Sequence, residues 1–136
     1  MIQRIQTLWL ALAAVAAFAT LKLPLYSGAK QDAAYAELTA ISGGIGTLIA
    51  TLLIGVLASV TIFLYKNRAV QIRLCVAGIF AEALLSYLYY RAMQDFTTGT
   101  FALSAILHMS IVLFLGLAAR AINQDERLVK DSDRLR

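Results

Sequence analysis

Four long apolar runs constrain this chain more than any other feature: Ile5 to Leu23, Ile45 to Tyr65, Leu74 to Tyr90 and Phe101 to Ala119. They hold 19, 21, 17 and 19 residues. About 20 helical residues, rising about 1.5 Å each, cross a hydrocarbon core of about 30 Å. Arg73 and Arg91 flank the shortest run and can snorkel to the two surfaces. No strand-like alternation runs through these stretches, which argues against a membrane barrel. A helix satisfies its own backbone groups in lipid, so helices are the expected form. Hydrophobic residues make up 60% of the chain and charged residues 15%, against about 25% charged in an ordinary soluble domain. A soluble fold of 136 residues cannot hide that much apolar side chain. Disorder, a disulfide scaffold and a soluble enzyme are thereby excluded. The expected fold is all-α, a four-transmembrane-helix up-down bundle with a cytoplasmic C-terminal helical tail. It forms one integral membrane domain over residues 1–136, with spans at about 5–23, 45–65, 74–90 and 101–119 and a tail over 120–136.

Lysine and arginine set the expected orientation. With the N-terminus inside, Arg4, Lys66, Arg68, Arg73, Arg120, Arg127, Lys130, Arg134 and Arg136 are cytoplasmic, and only Lys22, Lys30 and Arg91 lie outside. That is a positive-inside bias with both termini cytoplasmic. Tyr26, Tyr35, Tyr87, Tyr89, Tyr90, Phe96 and Phe101 gather at the outer boundary and suit an aromatic belt. An alternative for the first run is a signal peptide cut after Ala17-Phe18-Ala19, leaving three spans and an outside N-terminus. Pro24 ends the first helix. Between Pro24 and Gly44, Asp32 predicts the cap of a short helix through Leu38, or the start of one long helix reaching Tyr65. The net charge of +4 sits at membrane boundaries, so the expected partner is the lipid bilayer and no nucleic acid.

Polar residues inside the spans form the first candidate site: Glu82, Ser86, Ser104 and His108. An acid at mid-span is expensive and faces a partner or a cavity. Counting helix rise along antiparallel spans sets Ser86 level with His108 and Glu82 about 5 Å lower. One reading is a proton- or ligand-binding carboxyl; the plainer one is a hydrogen-bonded acid that joins two helices. A Ser–His–Glu hydrolase would also need a strained nucleophile and an oxyanion hole, which nothing here marks, so no enzyme is expected. One His and one Cys (Cys75) are too few for a typical zinc or iron–sulfur site, and no cofactor is expected.

Two further patterns concern packing. Thr47, Thr51, Gly55 and Ser59 recur every four residues as a stripe of small side chains, where a helix can come close. The Ala-rich first span is the expected neighbour, and a second copy is the alternative. In the tail, Ala121, Leu128 and Leu135 recur every seven residues beside Ile122 and Val129. Glu126 and Lys130, and Arg127 and Asp131, are spaced as helical ion pairs. Ile122, Leu128, Val129 and Leu135 are therefore the candidate partner-docking residues.

The ends of the chain, Met1-Ile2-Gln3-Arg4-Ile5-Gln6-Thr7 and Arg120-Ala121-Ile122 followed by Asp125-Glu126, Leu128-Val129 and Ser132-Asp133-Arg134-Leu135-Arg136, carry a family likeness. They resemble small, uncharacterised four-span inner-membrane proteins of Bacteroidetes-type bacteria that share a domain of unknown function. The resemblance implies the topology and a bacterial inner-membrane location, and no activity or cofactor. The expected function is that of a non-enzymatic subunit or scaffold that binds a protein partner through its cytoplasmic ends; a homo-oligomer is the other expected association. The alternative is an oligomeric proton-coupled small-molecule transporter using Glu82.

Overall fold

The computed structural model describes residues 2–134. In chain order it contains α1 (Ile2–Ala19), β1 (Tyr26–Lys30), β2 (Ala33–Leu38), α2 (Ile45–Phe63), α3 (Arg68–Met93), β3 (Phe96–Phe101) and α4 (Ala105–Arg134). Each helix packs on two others: α1 on α2 and α4, and α3 on α2 and α4. Four residues, 64–67, turn the chain from α2 back into α3, so these two run antiparallel. Three helices, α2, α3 and α4, are long and apolar enough to cross a membrane. The apolar part of α1, Ile5–Ala19, is shorter.

The helices are arranged with small and polar groups inside and large apolar groups outside. Ala13, Ala14, Ala16 and Ala17 of α1 are buried, as are Thr47, Thr51 and Gly55 of α2. A Cβ added at Gly55 would lie 2.9 Å from the Phe18 ring, and one at Gly78 would lie 2.9 Å from Leu115 Cδ1. Phe63, Phe80 and Met109, by contrast, are each more than 70% exposed. Water tolerates no such continuous apolar surface on a small monomer, whereas lipid does.

The segment 24–44 forms neither of the expected helices. Tyr26–Lys30 and Ala33–Leu38 make an antiparallel hairpin, and β3 joins it to give a three-stranded sheet of order β2-β1-β3. The molecule is therefore mostly helical and not all-α. The alanines and Glu37 of β2 favour a helix, but a six-residue helix standing alone does not hold in water. Backbone pairing wins because β3 offers three β-branched threonines to the hairpin. Gly28 lies opposite Gly99, and a Cβ on Gly28 would come 2.0 Å from the Thr98 carbonyl oxygen. Tyr26 uses the space over Gly99, touching Phe96 and Phe101 edge-on, each at 5.3 Å between ring centroids. β3 also takes Phe101 out of the fourth helix, which begins at Ala105.

Around this sheet the ends of α1 and α4 are joined. Thr20 Oγ1 donates to the Ala17 carbonyl at 2.7 Å as α1 closes. Ser104 Oγ, just before α4, donates to the Pro24 carbonyl. The Ala102 amide donates to Leu25 O, and the Leu25 amide to Leu38 O. At the other end, α4 continues without a break through the expected tail to Arg134. Leu135 lies outside the described residues.

Candidate functional site

The buried face of α3 steps through Gln71, Cys75, Gly78, Glu82, Leu85 and Tyr89. These residues alternate four and three apart, the spacing of a seam between packed helices. Glu82 is nine residues from Arg73 and nine from Arg91, so about 13 Å of helix separates it from either cation. Its neighbour across the seam is His108, in the first turn of α4. Glu82 Oε1 and His108 Nδ1 are 2.6 Å apart. Glu82 is 1% exposed and His108 8%.

Chemically, the pair solves the cost of an acid among apolar helices. One proton shared between a carboxylate and an imidazole leaves no net charge, whichever of the two holds it. Tyr89, one heptad beyond Glu82, covers the pair from the C-terminal side of α3, its ring edge-on to the imidazole at 5.2 Å. The remaining carboxyl oxygen, Glu82 Oε2, has no hydrogen-bond partner among the described residues. Among those residues no group of three or more His, Cys, Asp or Glu gathers to hold a metal.

Of the four polar residues singled out in the sequence, the structure brings together Glu82 and His108. Ser86 is exposed, because it falls off the four-and-three alternation that buries Glu82, Leu85 and Tyr89. Ser104 is occupied by the Pro24 carbonyl. Tyr89, read as part of an aromatic belt, is 1% exposed and lines the pair instead. Its place seven residues after Glu82 was the available signal. Thr47, Thr51 and Gly55 lie on the buried face of α2, where Gly55 receives Phe18 of α1; Ser59 is half-buried.

The second region is the C-terminal half of α4. Ile122 is fully buried, and Asp125 Oδ2 pairs with Arg68 Nη2 of α3 at 2.9 Å. Beside that pair, Gln71 Nε2 donates to Thr61 O at 2.9 Å, tying α3 to α2. These contacts fix α4 as far as Asp125. Beyond it the helix carries exposed Leu128 and Val129 and a surface pair, Lys130 Nζ to Glu126 Oε1, at 2.7 Å. The Lys130 hydrogen bond and charge hold the Glu126 carboxyl below its ordinary range. Ile5, Ala121, Gln124, Arg127 and Leu128 border an open groove of about 450 Å³ between α1 and α4. Of the four candidate docking residues, Ile122 is thus core, Leu128 and Val129 are surface, and Leu135 is not described.

Four packed helices, three of them able to cross a bilayer, enclose a sealed polar pair and extend one helix beyond it. This defines a small, mostly helical protein of membrane-spanning composition. The chain belongs to the family described as a domain of unknown function (DUF4293), whose model matches residues 2–135. No curated protein and no solved structure matches it.

Proposed function

We propose that this is a multi-pass protein of the bacterial inner membrane that acts without chemistry of its own, as a subunit or scaffold for a protein partner. All four helices cross the bilayer in this reading, α1 included, since its 18 residues extend about 27 Å. Both termini are cytoplasmic, in keeping with the lysine and arginine bias. The observation that carries the reading is the inner end of α4. The helix has 30 residues, about 45 Å, well beyond a hydrocarbon core of about 30 Å. Its excess is anchored by Ile122 and the Arg68–Asp125 pair, then presents Leu128 and Val129 beside the groove. A rigid helix with two exposed apolar residues is a docking element of the helix-in-groove kind.

The transport reading finds support in the unpartnered Glu82 Oε2. The near-complete burial of both Glu82 and His108 favours a joint between helices over a carrier site open to one side. Proteoliposome flux that follows a pH gradient and vanishes in Glu82→Gln would reverse that order. For the docking reading, a photo-crosslinking residue replaces Gln124 in native membranes. The expected result is one discrete adduct with another protein, lost when Leu128→Asp and Val129→Asp are added while membrane insertion is retained. Absence of an adduct, or its persistence in the double variant, refutes the reading.

A further inference from the structure

The small sheet ends on two free edges, β2 and β3, and no further strand pairs with either among the described residues. The two edges differ. β2 carries a carboxylate, Glu37, which accepts a hydrogen bond from the Tyr35 hydroxyl at 2.9 Å. A charge on an edge strand is a common guard against pairing with another chain. β3, Phe96-Thr97-Thr98-Gly99-Thr100-Phe101, has no charge and no proline, and every residue after Phe96 is exposed. A bulge at Thr97, whose hydroxyl donates to Ala29 O at 3.1 Å, bends the start of the strand. The regular stretch that follows is centred on Thr98-Gly99-Thr100, which reads the same in both directions.

Depth sharpens the point. α4 starts at Ala105, fifteen residues before Arg120, so about 22 Å of helix lies above that cation. This is short of a hydrocarbon core of about 30 Å. The chain entering α4 therefore lies within the outer leaflet, and Leu103 there is 85% exposed. Unpaired backbone N–H and C=O groups are costly at that depth, and a closing strand removes the cost. We propose that β3 pairs antiparallel with β3 of a second copy across a two-fold axis at Gly99, giving one six-stranded sheet. Gly99 then meets Gly99, and Thr98 of each copy meets Thr100 of the other. Threonine pairs are among the favourable cross-strand pairs, and no like charges oppose each other. A foreign strand would give no reason for the symmetry of Thr98-Gly99-Thr100. The proposal rests on the membrane reading and is independent of what docks on α4.

The test uses the full chain carrying Cys75→Ala, reconstituted in phosphatidylethanolamine–phosphatidylglycerol vesicles at high lipid dilution. Two differently tagged copies, one with Thr98→Cys and one with Thr100→Cys, are mixed and mildly oxidised. The expected result is a disulfide-linked mixed dimer, none from Tyr35→Cys copies, and loss of dimeric particles in Thr98→Lys, scored by single-molecule photobleaching. Single-step bleaching of the otherwise unmodified chain overturns the proposal, as does equal cross-linking at Tyr35. So does β3 cross-linking to a different protein in native membranes with no self-adduct.

Discussion

If Glu82 and His108 form a joint between α3 and α4, their substitutions should be strongly non-additive. Removing one partner of a buried ion pair costs about 3–5 kcal/mol when the other stays charged. A carboxyl that takes up a proton reduces this to the cost of an unpaired polar group, about 1–3 kcal/mol. Polar contacts between membrane helices average only about 0.6 kcal/mol, because the unfolded chain in lipid also finds partners. With Oε1 at 2.6 Å from His108 Nδ1 and Oε2 without a hydrogen-bond partner among the described residues, His108→Phe should cost about 2 kcal/mol. Glu82→Leu should cost about 1–2 kcal/mol by leaving an imidazole nitrogen unpaired. The double variant fills the site with apolar groups of similar size and should lie within about 1 kcal/mol of the native protein. Reversible unfolding in mixed micelles, titrated with a denaturing detergent, measures all four corners of the cycle. Additive costs would refute the joint. The same double variant separates the functional readings, since it should retain the Gln124 adduct, whereas a carrier would lose its flux.

Other substitutions probe the packing and the termini. Gly55→Ile drives a branched side chain into the Phe18 ring and should cost about 1–3 kcal/mol; adding Phe18→Ala should recover most of it in the same unfolding assay. Gly28→Val places a Cβ against the Thr98 carbonyl, so the β1–β3 pairing should open, seen as faster proteolysis within 26–38 while helical circular dichroism is unchanged. Arg68→Ala frees Asp125, which is 13% exposed at its side chain, and should cost about 1–2 kcal/mol with faster hydrogen exchange over 120–134. The Glu126–Lys130 contribution should be present at neutral pH and fade as pH falls through the lowered carboxyl value. Lys130→Ala should return Glu126 to its ordinary titration by NMR and leave the melting temperature unmoved, because the pair is exposed.

The helices were legible because apolar length is a one-dimensional property, and α2 starts at Ile45 as the run does. Glu82 stood out by its type, since an acid between Arg73 and Arg91 has few bland explanations. His108, its partner, was within reach by counting helix rise, but Tyr89, which lines the pair, could be found only by asking which residues share the four-and-three seam. Ser86, four residues on, is turned about 40° from Glu82, whereas Tyr89, seven on, returns to within about 20° of it. That small angular difference exposes one and buries the other. The sheet was illegible for a different reason. Ala33-Ala34-Tyr35-Ala36-Glu37 prefers a helix locally, and its strand form depends on β1 and, through β1, on Thr98 and Thr100, more than sixty residues away. No window along the chain contains that information.

The sheet and the unequal helices are one feature. From the Glu82–His108 contact, α3 continues eleven residues to Met93, about 16 Å, while α4 continues only three to Ala105, about 4 Å. The difference of about 12 Å must be filled by chain whose backbone groups are satisfied without a helix. β3 lies in the chain between α3 and α4, and β1, which follows α1, pairs with it. Pro24 makes this possible by keeping the turns that follow Ala19 from continuing α1, which leaves its carbonyl free to take the Ser104 hydroxyl. Lengthening α1 by replacing Pro24 with Ala should therefore act at a distance. It would withdraw the carbonyl from Ser104, draw Leu25 out of its bonds to Leu38 and Ala102, and loosen the start of α4 that holds His108. The expected readout is a faster-exchanging amide set over 102–108 and a smaller coupling energy between Glu82 and His108. An unchanged coupling would show that the sheet and the buried pair are mechanically separate.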